Sequence, residues 1–226
     1  MHHSGGAAAE TKYIYGNALD RAHQILRESC KTCVVGLGLG YIEISWAISL
    51  LREKIEPSQN VTIHSFELVP GLIEKFKAWI ETSAPHPVYD LVVEKLDPTH
   101  SIIEVKALLK KAFQTGSTFN GDLADFSQHR ELYNVICYDA FSKKTNEGLW
   151  ASEFLQNYFQ SFAANDCVVT TYACTGVLRK TLLEQNFAFF KRPGFCGKRD
   201  SSLATRGRFS LEDFPCSSFQ TSSCNQ

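Results

Sequence analysis

The sequence predicts an α/β fold built on a seven-stranded, mostly parallel sheet with one antiparallel strand. Two observations carry this. Short apolar, β-branched runs that stop at glycine or an acid alternate five times with stretches of helical spacing, and the alternation closes on two strand-like segments in succession. Two sequential strands without a crossover helix imply a reversal, which puts the antiparallel strand near an edge of the sheet.

The elements follow in order. Residues 1–16 read as a flexible start and residues 17–29 as a short helix. The run Thr32-Cys33-Val34-Val35 is a buried strand that stops at Gly36. Residues 42–54 repeat apolar side chains at Ile44, Ile48, Leu51 and Ile55, so the glycines before them lie in a strand-to-helix turn. A second strand at 61–66 ends at Glu67, and residues 71–82 form the next helix. Pro85 and Pro87 break the pattern. Residues 101–114 then carry Ile102, Val105, Leu109 and Phe113 on one face. A short strand at 118–120 runs into Gly121-Asp122, a polar helix covers 123–131, and a strand follows at 135–138. Helix 153–162, strand 167–172, helix 176–185 and a strand pair at 188–191 and 202–205 complete the domain, set at 17–209. From 210 the composition turns to Ser, Cys, Phe and Gln without periodicity, which reads as a disordered tail.

A chain of 226 residues with 44% hydrophobic and 21% charged residues buries a full core as one domain. Its 23 basic and 24 acidic residues nearly cancel, so any contact with nucleic acid depends on a local patch. No stretch approaches the roughly 18 apolar residues of a membrane span, and Met1 to Glu10 lacks a secretory core, so a soluble cytoplasmic protein without a membrane partner is expected. Of the eight cysteines, Cys33, Cys137, Cys167 and Cys174 sit in apolar runs, which favours reduced thiols. Cys30 and Cys33 form a lone Cys-x-x-Cys without a histidine at ligand spacing, and no metal is expected. His64, inside a strand, reads as an interior histidine.

The most informative stretch is Val135-Ile136-Cys137-Tyr138-Asp139-Ala140-Phe141-Ser142, followed by Leu149-Trp150. It sets Asp139 at the carboxyl edge of a buried strand, where open α/β sheets hold ligands. Gly36-Leu37-Gly38-Leu39-Gly40 occupies the first strand-to-helix turn, where bare backbone and the N–H groups of a helix start can approach a ligand. Tyr41 stands where a dinucleotide fingerprint places its third glycine, which argues against NAD or FAD. Glu67 ends the second strand, 27 residues after Gly40, where an acid can accept both hydroxyls of a ribose. Asp122 follows the third strand, placed either to receive an adenine amino group or to cap the next helix.

The glycine turn resembles the first motif of S-adenosylmethionine (SAM) dependent methyltransferases. Together with Asp139-Ala140-Phe141-Ser142, Leu149-Trp150, the stretch TTYACTGVLRKTLLEQNF at 170–187 and PGFCGKR at 193–199, the chain resembles the methyltransferase domain of the MnmC-like tRNA 5-aminomethyl-uridine methylases. The resemblance spans roughly residues 34–205. It implies a Rossmann-like class I methyltransferase fold, SAM as cofactor, and methylation of the primary amine of 5-aminomethyl-(2-thio)uridine at a tRNA wobble position. It further implies that Gly36, Gly38 and Gly40 line the methionine end, that Glu67 holds the ribose and Asp122 the adenine, and that Asp139 and Phe141 face the amine. The family's oxidase domain has no counterpart, so a stand-alone methyltransferase is expected. Where the family has Leu-Asn-Phe after its glycines, this chain has Tyr41-Ile42-Glu43.

An aspartate with a reference pKa of about 3.9 is too weak a base for an alkylammonium unless burial raises it. Asp139 is therefore expected to bind and orient the amine and assist its deprotonation. Tyr172 and Phe141 either wall the pocket or belong to the core, and Trp150 packs structurally. Residues 178–208 hold eight basic side chains (Arg179, Lys180, Lys191, Arg192, Lys198, Arg199, Arg206, Arg208) against two acids, either a patch for tRNA phosphates or a solvated basic face; in the first reading Lys198 and Arg199 bind the substrate, with Arg199 nearest it. Two other readings stay open: a SAM-dependent enzyme acting on a small amine or polyamine, and a non-catalytic module on the same scaffold.

Overall fold

Seven strands, β1 (Cys30–Val35), β2 (Val61–Phe66), β3 (Thr118–Asn120), β4 (Tyr133–Tyr138), β5 (Ala163–Thr171), β6 (Ala188–Arg192) and β7 (Ser201–Arg206), form one sheet of order β3-β2-β1-β4-β5-β7-β6. The structure is a computed structural model that describes residues 6–125, 131–140, 146–197 and 200–214. Strands β1 to β5 pair in parallel, and β7 inserts antiparallel between β5 and β6. The predicted architecture is therefore the observed one, with the reversed strand one place in from the edge.

Alternate side chains of the central strands feed two separate cores. Cys30, Val34, Val135, Cys137 and Val168 join one cluster, while Cys33, Val35, Ile136, Tyr138 and Val169 join the other. This is the double-sided burial a parallel sheet requires, and it explains why these strands read as continuous apolar runs. It also separates Cys30 from Cys33, on opposite faces. Burial pushes both thiols up to about 12, so each behaves as a small hydrophobe. The described cysteines are all free thiols. His64 is interior, with Nδ1 on the Tyr133 hydroxyl at 2.8 Å and Nε2 on the Gly116 carbonyl at 3.1 Å.

The helices are α1 (Ala7–Thr11), continued through a π-helical turn (Lys12–Gly16) into α2 (Asn17–Leu26), then α3 (Tyr41–Glu53), α4 (Pro70–Glu81), α5 (Tyr89–Leu96), α6 (Ile102–Thr115), α7 (Ser152–Phe162) and α8 (Gly176–Glu184). Proline at the first position opens α4. A reciprocal capping box of Ser101 and Glu104 opens α6, and the Thr175 hydroxyl caps α8 by accepting from Leu178 N–H at 3.1 Å. No described helix is long and apolar enough to cross a membrane.

Four expectations change. Residues 7–16 are helical, and Ile14 and Tyr15 are buried, so the chain before residue 17 is part of the fold. Helix α5 follows directly on the two prolines, its start held by His86 N–H and Trp79 Nε1–H donating to the Asp90 carboxylate. The polar helix expected at 123–131 is a single 3-10 turn at Leu123–Asp125, with 126–130 outside the described residues. Ordered chain continues past 209 through a capped turn at Leu211–Asp213, which Arg21 joins at 2.6 Å, to a buried Phe214 packed on Phe209. The remainder of the expected tail, 215–226, lies outside the described residues.

Glu43 is the most unusual buried group. It sits in the first turn of α3 with no exposed surface; Oε1 accepts from the Ser65 hydroxyl at 2.6 Å, and Oε2 has no partner among the described residues. Burial pushes its carboxyl up to about 8. A raised carboxyl is protonated in the folded state while the unfolded chain ionises, so stability falls as pH rises from near 4.5 to near 8. Glu43→Gln, which keeps the shape without the charge, is expected to raise stability at pH 8 by on the order of 1–3 kcal/mol and to leave it nearly unchanged at pH 4.5, as read by urea denaturation at the two pH values.

Candidate active site

The parallel register of β2, β1 and β4 brings three strand ends level. Gly36 N–H donates to Phe66 C=O at 2.9 Å, Asp139 N–H to Val35 C=O at 2.9 Å, and Glu67 N–H to Asn120 C=O at 3.0 Å. Gly36, Glu67 and Asp139, chosen from separate parts of the sequence, therefore stand along one carboxyl edge. Gly36 must be glycine for this to happen. Its φ is +96°, and a Cβ there would lie 2.8 Å from the Asp139 carbonyl oxygen. Gly40, at φ +70°, begins α3 and lies so close to the Phe76 ring that a Cβ would sit at 2.2 Å.

Gly38 differs from both. No atom lies within 4 Å of where its side chain would be, and it lines a cavity of about 500 Å³. Glu10, Tyr15, Tyr41, Asp139 and Tyr172 also face this cavity. Glu67 folds toward the same turn: Oε2 accepts from Gly38 N–H at 3.1 Å and Oε1 from Val69 N–H at 2.9 Å. Each carboxylate oxygen has a second lone pair, so both keep capacity for ribose hydroxyls. Asp122 Oδ1 accepts from Ala124 N–H at 2.9 Å, so its helix-capping use is real and leaves Oδ2 without a bond among the described residues.

Asp139 meets a residue that the sequence reading missed. The hydroxyl of Tyr15 donates to Asp139 Oδ1 at 2.6 Å. Burial pushes the Asp139 carboxyl up to about 7; the Tyr15 hydrogen bond opposes this and the Glu10 charge adds to it. Tyr15 itself is raised well above the usual phenol, by burial first and by Asp139 second. Across the cavity, the Tyr172 hydroxyl donates to Ala140 C=O at 2.6 Å, and its own pKa is pushed up to about 12 by burial and by Asp139. Tyr172 thus walls the pocket. Trp150 packs edge-on against Tyr138 with centroids 5.1 Å apart, the structural role expected of it. Glu43, the departure from the family pattern, points to Ser65 behind the glycine turn and does not line the cavity.

The helix bearing Tyr15 is anchored from below. Thr170 Oγ1 donates to Ile14 C=O, Arg192 Nη2 donates to the same carbonyl at 3.3 Å, and the Tyr13 hydroxyl donates to Pro193 C=O at 2.8 Å. The π-helical turn is the place where a helix opens its hydrogen-bond ladder to such side contacts. Arg192 is therefore an internal tie, 4% exposed, not a phosphate contact.

The rest of the basic cluster is also thinner than its composition. Arg206 donates to the carbonyls of Gln185, Ala163 and Ala164, Arg208 pairs with Asp166 at 2.7 Å, and Lys191 pairs with Asp200 at 2.6 Å. Lys180 lies 3.8 Å from Glu184. Lys198, Arg199 and Phe141 lie outside the described residues. Among the described residues, no cluster of three or more His, Cys, Asp or Glu could hold a metal ion.

A family of S-adenosyl-L-methionine-dependent methyltransferases matches residues 109–207, from α6 to β7. The chain is 25% identical to the tRNA 5-methylaminomethyl-2-thiouridine biosynthesis bifunctional protein MnmC of Vibrio cholerae, over 85% of this chain and 30% of that one. It is 40% identical to the MnmC protein of Hahella chejuensis over a shorter stretch, 33% of this chain and 11% of the relative. The chain thus spans less than a third of the length of these relatives. The crystal structure of MnmC2 from Aquifex aeolicus superposes over 94% of this chain and 67% of that chain, with a TM-score of 0.60 at 19% identity. The plantazolicin methyltransferase BpumL, solved with S-adenosylhomocysteine, covers 89% and 86% with a TM-score of 0.50 at 9% identity. Both structures share the fold. The family match over residues 109–207, the strand order and the glycine turn beside Asp139 agree: the chain has the class I methyltransferase fold and is similar to SAM-dependent methyltransferases and to the MnmC proteins.

Proposed function

We propose that the chain methylates the amine of 5-aminomethyl-(2-thio)uridine at a tRNA wobble position. The observation that carries this reading is a carboxylate, Asp139, raised to about 7 at the wall of the cavity that the glycine turn enters. SAM, when bound, supplies an electrophilic methyl group. The cavity of about 500 Å³ lies in the usual range of ligand sites, roughly 300–1,000 Å³, and Gly38 leaves backbone bare on its wall. Gly36, Gly38 and Gly40 shape the methionine end, Glu67 accepts from the ribose, and Asp122 Oδ2 receives the adenine amino group.

The residues of this chain prepare the amine. A primary alkylamine arrives protonated and must lose a proton before its lone pair can attack. An aspartate near 3.9 could not take that proton, but Asp139 near 7 is matched to the task. Asp139 first pairs with the ammonium, then accepts its proton, while the apolar wall of Ile14, Leu37 and Ile42 disfavours charge on the nitrogen. Tyr172, tied to Ala140, keeps the opposite wall rigid. The MnmC relatives are named for tRNA 5-methylaminomethyl-2-thiouridine biosynthesis, which supports a tRNA substrate, and a cytoplasmic setting goes with that reading.

A small amine or polyamine is the second reading, and one observation favours it. The cavity is lined by two carboxylates, Glu10 and Asp139, and by no lysine or arginine among the described residues. Methylation assays with labelled SAM on tRNA bearing 5-aminomethyl-uridine and on spermidine separate the two. Methyl transfer to the tRNA alone is the expected result.

On the preferred substrate, Asp139→Ala is expected to lower kcat/KM by about 10²–10⁴-fold while SAM affinity, measured calorimetrically, stays nearly constant. Because the folded Asp139 carboxyl titrates near 7, wild-type kcat/KM should fall about tenfold per pH unit on the acid side of that value, as rate assays across pH 5–9 would show. Glu67→Ala is expected to weaken SAM binding by about 10–100-fold, the size of a lost charged hydrogen bond, in the same calorimetric titration.

A further inference from the structure

We propose that Tyr15 is a positioning residue for methyl transfer: its hydroxyl ties Oδ1 of Asp139, fixes the orientation of the carboxylate and leaves Oδ2 as the fully open acceptor presented to the substrate amine. The inference rests on the reading of Asp139 given above and adds a residue and an element to it. Three independent features of the geometry support it. The Tyr15 hydroxyl lies 2.6 Å from Asp139 Oδ1, and Oδ2 accepts no hydrogen bond among the described residues. Both residues line the same cavity, although 124 residues separate them in the sequence. Tyr15 also stands on the π-helical turn, held from below by Thr170, Arg192 and Tyr13 through contacts that do not involve its hydroxyl.

The chemistry follows from a tyrosine facing a carboxylate. A phenol O–H donates to the ionised carboxylate and favours it over the acid. With one oxygen tied, the carboxylate is held in one orientation, so the nitrogen meets Oδ2, whose lone pairs are open, from one direction. The groups that face Asp139 from every packed element are Glu10 on α1, Tyr15 on the π-helical turn, Glu43 on α3, Cys137 on β4 and Tyr172 at the end of β5. Tyr15 alone among these hydrogen-bonds it. Glu10 contributes like charge, which favours the neutral acid, and Glu43, raised to about 8 by burial, is neutral where Asp139 titrates. Removing the Tyr15 hydroxyl must therefore raise the Asp139 midpoint, not lower it.

The test is the titration of the Asp139 side-chain carbon by ¹³C NMR, assigned by its loss in Asp139→Asn, in the wild type and in Tyr15→Phe, alongside the pH profile of methylation. Phenylalanine fills the same space, and a thermal melt checks that the fold persists. The expected result is a rise of about one pH unit in the Asp139 midpoint, with an equal shift in the acid limb of kcat/KM and S-adenosylhomocysteine affinity changed by less than about threefold. Replacing tyrosine by 3-fluorotyrosine, a stronger donor of the same shape, must move the midpoint the other way, which keeps the proposal testable if the phenylalanine variant fails to fold. An unmoved midpoint in both substitutions would overturn it. A shifted midpoint in a protein that methylates no aminomethyl-uridine RNA would uphold the tyrosine–aspartate pair and defeat the substrate reading.

Discussion

Three backbone hydrogen bonds across the carboxyl edge of the central strands are the constraint on which the site depends. Gly36 to Phe66, Asp139 to Val35 and Glu67 to Asn120 extend the parallel ladder one residue beyond each strand and bring a glycine and two acids level. A one-residue slip would turn every side chain of a strand to the other face. Because both faces of this sheet are buried, such a slip would exchange whole sets of core residues, so packing protects the register and the register protects the site. The short approach of Gly36 to the Asp139 carbonyl is where that ladder has no room for a side chain.

The second support comes from charge turned inward. Arg192 and Arg206 spend their guanidinium donors on carbonyls, Arg192 on Ile14 and Ser202 and Arg206 on Gln185, Ala163 and Ala164. Arginine suits this because its planar fork satisfies several acceptors at once. Breaking a buried charged network costs more than forming it gains, so these arginines hold the N-terminal helix and the start of β5 in one arrangement. The Tyr15 hydroxyl reaches Asp139 as a result of that anchoring.

Most of the fold was legible because hydrophobic period and strand-end chemistry agree. The runs at 61–66 and 118–120 match their strands residue for residue, and the glycine turn, Glu67 and Asp139 were all found at strand ends. What was hidden depended on tertiary contact. Tyr15 lies 124 residues from Asp139, and nothing local to Tyr13-Ile14-Tyr15 distinguishes a wall of the site from an apolar patch in a short N-terminal helix. Arginine composition misled for the same reason: eight basic residues in one stretch say nothing of how many point inward, and Arg192 and Arg206 do. Helix α5 was missed because Pro85 and Pro87 read as a break, whereas Asp90 uses the following turn to start a helix.

The most direct measurement is a crystal structure with S-adenosylhomocysteine. The account predicts the nucleoside in the cavity beside Gly38, its ribose hydroxyls on the Glu67 carboxylate and its sulfur turned toward Asp139. A ligand bound away from that carboxyl edge, or a ribose that makes no contact with Glu67, would contradict it.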